Sequence, residues 1–172
     1  MKKDFVMPVL VLSIICLLVS GALSFVNDVT RPVIEEAAAL RAETARREVM
    51  PHADEFVLLE LEDLPKTITE VFGTTNNVGF VFMINTAGYG GEIRIICAID
   101  PEGKIIKTTT LAHTETMGIA TPVFEQEREY VGKDKNLEGI DVISGATITW
   151  RAYRNSIRDA FEVFEKIRGT RL

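Results

Sequence analysis

Asp141-Val142-Ile143-Ser144-Gly145-Ala146-Thr147-Ile148-Thr149 runs without a break into a helical pattern. Beyond it Tyr153, Ile157, Ala160, Phe161, Phe164 and Ile167 recur at three- and four-residue spacing, with Arg154, Arg158, Glu162 and Lys166 between them. That spacing predicts an amphipathic helix with one buried face. Ser144, Thr147 and Thr149 therefore lie where a helix begins. The first N–H groups of a helix have no intrahelical acceptor, and the positive end of the dipole adds to them, so an anionic phosphate is favoured there. Gly145 and Ala146 let such a group approach the backbone closely. The plainer reading of the same residues is a polar loop with Thr147 or Thr149 as the N-cap.

The remaining composition narrows the class. The chain has 172 residues, 47% of them hydrophobic, which suits one modest domain plus a membrane segment. A formal net charge of −6 and the lack of any basic run argue against nucleic acid as a partner. Cys16 and Cys97 have no metal-ligand spacing and read as small apolar fillers rather than a disulfide. The histidines, His52 and His113, are far apart in sequence and give a metal site poor support.

Phe5 to Val26 is an uncharged, nearly unbroken apolar run of 22 residues. As a helix rising about 1.5 Å per residue it spans roughly 33 Å, enough for a bilayer core of about 30 Å. Pro8 is expected in the first turn, where its missing N–H matters little. A cleaved signal peptide is the alternative, with Ala22-Leu23-Ser24 as a passable cleavage site, but the run exceeds an apolar signal core of about 7–15 residues. Ile15 before Cys16 is too bulky for a lipoprotein signal. Lys2 and Lys3 precede the run and Asn27 and Asp28 follow it, so the positive-inside rule puts the N-terminus in the cytoplasm and the rest outside.

Thr30-Arg31-Pro32 is expected to open a second helix that Pro51 ends, with acidic Glu35 and Glu36 early and Arg46 and Arg47 late. The expected organisation is a transmembrane anchor over 1–28, a helical stalk over 29–51 and an extracytoplasmic domain over 52–172. In that domain 56–61, 68–72, 78–85, 92–99 and 104–111 read as strands. Asp100-Pro101-Glu102-Gly103 is a turn by residue type, with Asp first, Pro second and Gly fourth. Gly88-Tyr89-Gly90-Gly91 lacks the dinucleotide-binding spacing and reads as a turn or bulge. A helix broken by Pro122 is expected over 118–130. The fold class is α+β: an antiparallel sheet with flanking helices, preceded by one transmembrane helix and the stalk.

Asp-x-x-Ser-Gly-Ala-Thr-x-Thr at 141–149 resembles the flavinylation signature of the FMN-binding domain family. That family includes the G subunit of the Rnf complex and the C subunit of the sodium-pumping NADH:quinone reductase. His113-Thr114-Glu115-Thr116-Met117-Gly118 is similar to a second element of the family, which follows the same hairpin on the flavin side. The Gly-Tyr-Gly-Gly turn and the Asp-x-x-Gly hairpin match in order, and Ala120 departs where relatives often have Gly. The short length points to the Rnf-type member.

The resemblance implies FMN attached covalently to Thr149 through a phosphoester. Ser144, Gly145, Ala146, Thr147, Asp141, His113, Glu115, Thr116 and Gly118 are the implied flavin contacts, with no metal ligand and no catalytic residue among them. Tyr89, Met117, Ile119 and Trp150 are candidate ring neighbours, or equally ordinary core and surface. Asp141 either presents the motif or caps a turn. A threonine hydroxyl needs activation at neutral pH, and the motif holds no His or Lys, so a separate flavin transferase is implied as the donor of FMN from FAD. The implied function is electron relay among the membrane subunits of an Rnf-type ferredoxin:NAD oxidoreductase coupled to ion translocation. The alternatives are a carrier in another extracytoplasmic flavin-based chain and a non-redox binding module.

Overall fold

The computed structural model describes residues 2–168, without the side chains of residues 2–5. The chain divides into two compact units, residues 1–42 and 43–172.

The first element, α1, is one helix over Lys2–Val49, with Pro8 and Pro32 inside it. This corrects the expected break near residue 30. Thr30 does not cap a new helix; its Oγ1 donates to the Val26 carbonyl at 2.7 Å, four residues back in the same helix. Pro32 removes one N–H, but the alanine- and glutamate-rich sequence after it propagates the helix. Pro8 also lies past the first turn. From Val6 onward α1 is long and apolar enough to cross a membrane. Its large side chains, Leu10, Leu17, Phe25 and Val29 among them, are exposed. Lys2 and Lys3, which carry the orientation argument, lie outside the described side chains.

In the second unit five strands follow: β1 (Phe56–Leu58), β2 (Ile68–Thr74), β3 (Phe80–Ala87), β4 (Glu92–Ile99) and β5 (Ile105–His113). They form an antiparallel meander in the order β1-β2-β3-β4-β5. β1 stops at Leu58, three residues before its expected end. Leu59 donates one more backbone bond, to the Val71 carbonyl, and Leu59, Leu61 and Leu64 then turn onto the core.

The second unit ends with α2 (Thr121–Glu125), a 3₁₀ turn (Gln126–Tyr130) and α3 (Thr147–Arg168). The single helix expected over 118–130 is therefore a short helix continued by a 3₁₀ turn. Ile119 and Ala120 N–H fold back onto the Thr116 carbonyl, and Thr121 Oγ1 accepts from Gly118 N, so helix begins only at Thr121.

α3 covers one face of the sheet. Tyr153, Ile157, Phe161 and Phe164 pack in one cluster with Ile93, Ile95, Cys97 and Ile99 of β4. Complete burial of each such side chain contributes about 1.5–3 kcal/mol. Ala45, Val49 and Met50 cover Val81, Ile96 and Ala98 on the opposite face. That explains why β4 begins with alternating polar residues and ends wholly apolar: only its second half is covered on both sides. Burial pushes the Cys97 thiol up to about 12, so it stays a neutral filler. Cys16 is also free, but exposed on α1.

Candidate functional site

The motif segment is a turn followed by a helix start. Ala146 N donates to the Ile143 carbonyl at 3.3 Å, closing a turn whose third residue, Gly145, has φ +87°. Side chains rarely adopt that backbone conformation, which accounts for glycine there. The Ala146 carbonyl then accepts from Trp150 N at 2.8 Å, so Ala146 occupies the N-cap position. This corrects the expectation that Thr147 or Thr149 caps the helix. Both lie inside the first turn, because the cap position is filled by a residue with no capping side chain and both hydroxyls remain available.

Two contacts brace the first residue of the motif and the loop before it. Gln126 Nε2 donates to the Asp141 carbonyl at 3.1 Å, and Arg154 Nη2 donates to the Leu137 carbonyl at 2.9 Å. Arg154 also lies over the Trp150 ring, 5.4 Å from its centroid.

A cleft of about 430 Å3 opens beside the helix start. Gly145, Ala146, Thr147, Ile148 and Thr149 form one side, and Tyr89, Glu115, Thr116 and Ile119 the other. Thr149 is buried, yet it lines this space, and its hydroxyl accepts a long hydrogen bond, 3.5 Å, from the backbone N of Tyr89 on the other side. Glu115 is also buried and accepts from Gly90 N at 3.0 Å. Tyr89, Ile119 and Ile148 expose most of their apolar surface around the opening.

The arrangement suits a phosphorylated, partly apolar ligand. First-turn N–H groups and the Thr147 and Thr149 hydroxyls supply donors for phosphate, and among the described residues no atom other than those of Gly145's chain neighbours lies within 4 Å of where a side chain on Gly145 would begin. The exposed Tyr89, Ile119 and Ile148 supply surface for a flat aromatic ring. A second cleft of about 420 Å3, at the other end of α3, fits such a ligand poorly. Leucines line it with Glu60, Glu62 and Asp63 against the single cation Lys166, an acidic excess that disfavours phosphate.

The cleft thus gathers Thr149, Gly145, Ala146, Thr147, Glu115 and Thr116 from two distant stretches of sequence. Asp141, Ser144, His113 and Gly118 do not line it. Ser144 is exposed in the turn, and Asp141 is exposed and held through its carbonyl. His113 ends β5 with its ring stacked on Phe124, centroids 4.4 Å apart. Of the candidate ring neighbours, Tyr89 and Ile119 line the cleft, whereas Met117 and Trp150 do not. Ile148 was not anticipated: only its place between two motif threonines, pointing off the buried face of α3, signals it.

Residues 88–162 match the family model described as FMN-binding domain. This chain carries an FMN-binding domain. The match begins at the Gly88–Gly91 turn and takes in the cleft and most of α3. The chain is 28% identical to the G subunit of an ion-translocating oxidoreductase complex from Shewanella piezotolerans, over 96% of this chain and 92% of that one. It is 27% identical to the G subunit of the Na+-translocating ferredoxin:NAD+ oxidoreductase complex from Acetobacterium woodii, over 92% and 90%. The G subunit of a proton-translocating ferredoxin:NAD+ oxidoreductase complex from Clostridium ljungdahlii is 29% identical over 49% of this chain and 52% of its own length.

Proposed function

We propose that this protein is the FMN-carrying, electron-relaying G subunit of an ion-translocating, Rnf-type ferredoxin:NAD oxidoreductase complex. Its FMN is held through a phosphoester to Thr149. The observation that carries the reading is Thr149, lining a cleft at the first turn of α3 within the residues that match the FMN-binding domain, its hydroxyl held by Tyr89 N. The similarity to two relatives of that kind over nine-tenths or more of each chain supports the assignment to a complex.

When bound, the flavin takes up and releases electrons. The chain's own residues hold and shield it. Thr147 and the first-turn N–H groups would bind the phosphate oxygens, while Ile119, Ile148 and Tyr89 would shelter the ring. Attachment transfers FMN from FAD on a flavin transferase. The Thr149 Oγ–P bond forms, the phosphoanhydride bond to AMP breaks, and the hydroxyl proton leaves to a base on the transferase, with no change of oxidation state. An apolar N-terminal helix fits single-pass anchoring, with the N-terminus cytoplasmic and the domain outside. There free FMN is scarce, mass action would strip a reversible cofactor, and a covalent bond prevents that loss.

The test is expression with and without a flavin transferase, followed by denaturation, in-gel fluorescence and intact mass. Label and the added mass of FMN are expected only with the transferase. Thr149→Ala is expected to abolish both, and Ser144→Ala, outside the cleft, only to weaken them. Label that survives Thr149→Ala overturns the attachment site.

A further inference from the structure

Three glycines surround Tyr89, and the structure gives each a reason that involves Thr114, Glu115 or both. A Cβ on Gly88 would overlap Glu115 Oε1 and sit 2.8 Å from Ile93 Cδ1. On Gly90 it would lie 3.0 Å from both Glu115 Cα and the Thr114 carbonyl oxygen. On Gly91 it would overlap Thr114 Oγ1. Thr114 and Glu115 thus occupy the room that side chains on this turn would take. The interlock is also bonded: Glu115 Oε1 accepts from Gly90 N at 3.0 Å, and Thr114 N donates to the Glu92 carbonyl at 3.1 Å. The Gly88–Gly91 turn closes on itself through Gly88 N to the Gly91 carbonyl at 2.8 Å. At its tip Tyr89 is 77% exposed, while its backbone N points at Thr149 Oγ1, 3.5 Å away.

We propose that Glu115 is a positioning residue for flavin attachment, its carboxylate clasping the Gly88–Gly91 turn so that the Tyr89 amide is aimed at the Thr149 hydroxyl. The proposal rests on Thr149 as the attachment site. An amide aimed at Oγ1 occupies one lone pair and turns the O–H toward the cleft. It then stabilises the negative charge that grows on Oγ1 as the proton leaves and the bond to phosphorus forms. A 3.5 Å contact is long at rest, and such contacts tighten as charge develops. Among the described residues no hydrogen bond joins Glu115 to Thr149, so the carboxylate acts through the turn and not as the base.

The experiment uses the full chain in detergent with purified flavin transferase and FAD, and measures the initial rate of FMN addition by intact mass. Glu115→Gln keeps the reach and an acceptor oxygen but loses the charge; it is expected to label within about threefold of the unaltered chain. Glu115→Asp keeps the charge but falls short of Gly90; it is expected to label about tenfold more slowly, the order of effect of one misplaced hydrogen bond. The loss is expected in kcat rather than in KM for the chain. Gly88→Ala blocks the carboxylate's seat, should repeat the slow labelling, and replaces the Asp variant if that one fails to fold. A slow Gln variant, a fast Asp or Gly88→Ala variant, or a loss confined to KM overturns the proposal. Label in Thr149→Ala removes the reading beneath it, whereas a blank Thr149→Ala with the reversed Gln/Asp pattern removes this inference alone.

Discussion

The two turns at either end of β4 are both four residues long and differ in what supports them beyond their own backbone. The Asp100–Gly103 turn leaving β4 holds itself. Asp100 Oδ1 accepts from Lys104 N at 2.8 Å, Gly103 N donates to the Asp100 carbonyl at 3.0 Å, and Gly103 has φ +84°. The Gly88–Gly91 turn entering β4 also closes on itself, through Gly88 N, but leans in addition on residues far along the chain, on Glu115 and through Tyr89 N on Thr149. One turn is written in its own four residues and the one that follows them, Lys104. The other makes sense only when the loop after β5 is in place. The self-sufficient turn lies away from the cleft, and the dependent one forms its wall.

Substitutions that separate these turns test the contrast, and the largest effect is expected at Gly90. Its added Cβ meets backbone atoms, which move less easily than a side-chain tip. Gly90→Ala should cost about 1–3 kcal/mol by denaturant unfolding. It should also slow FMN addition about tenfold as the Tyr89 amide is displaced. Normal labelling in that variant would erase the functional difference between the turns. Gly103→Ala forces a side chain into the left-handed region and brings its Cβ 3.1 Å from Phe164 Cε1. A loss of about 1–2 kcal/mol is expected with the labelling rate unchanged. Asp100→Ala removes one local hydrogen bond and should cost about 1 kcal/mol, again with no effect on labelling.

The smallest effect tests a third kind of support, a side chain closing a sheet edge. Glu127 accepts from Thr110 N of β5 and from Tyr153 OH. Burial raises its carboxyl pKa, and the hydrogen bonds from Thr110 and Tyr153 only partly offset that. The folded pKa therefore lies above the unfolded one, and the folded chain holds the proton longer. The contribution to stability is complete below the unfolded value and is lost as pH rises through the raised folded value. Thermal unfolding midpoints of Glu127→Gln and the unaltered chain, compared from about pH 4 to about pH 7, should diverge in favour of the Gln variant as pH rises. A constant difference would contradict the shift.

Legibility followed the same division. α3, β4 and the Asp100 turn were readable because periodicity and turn chemistry act over a few residues. The unbroken α1 was misjudged at Thr30 because a hydroxyl before a proline looks like a cap, while the actual bond runs back to Val26. The N-cap was misjudged because its occupant, Ala146, has no side chain that announces the role. The glycines around Tyr89 were readable as a turn, but not as a seat for Glu115, because the residue that fills them lies 25 positions from Gly90.

The sequence by itself determined the apolar N-terminal helix, the antiparallel sheet with its long amphipathic helix, and the small, hydroxyl-bearing segment at that helix's start. Each is a pattern that side-chain size and polarity impose on neighbouring residues. Only the tertiary structure decided that Glu115 and Thr116 share a cleft with Thr149, and that Ser144, Asp141, His113 and Gly118 stand outside it. The sheet's register and the packing of α3 bring those segments together, and such proximity is a property of the assembled fold rather than of any local stretch.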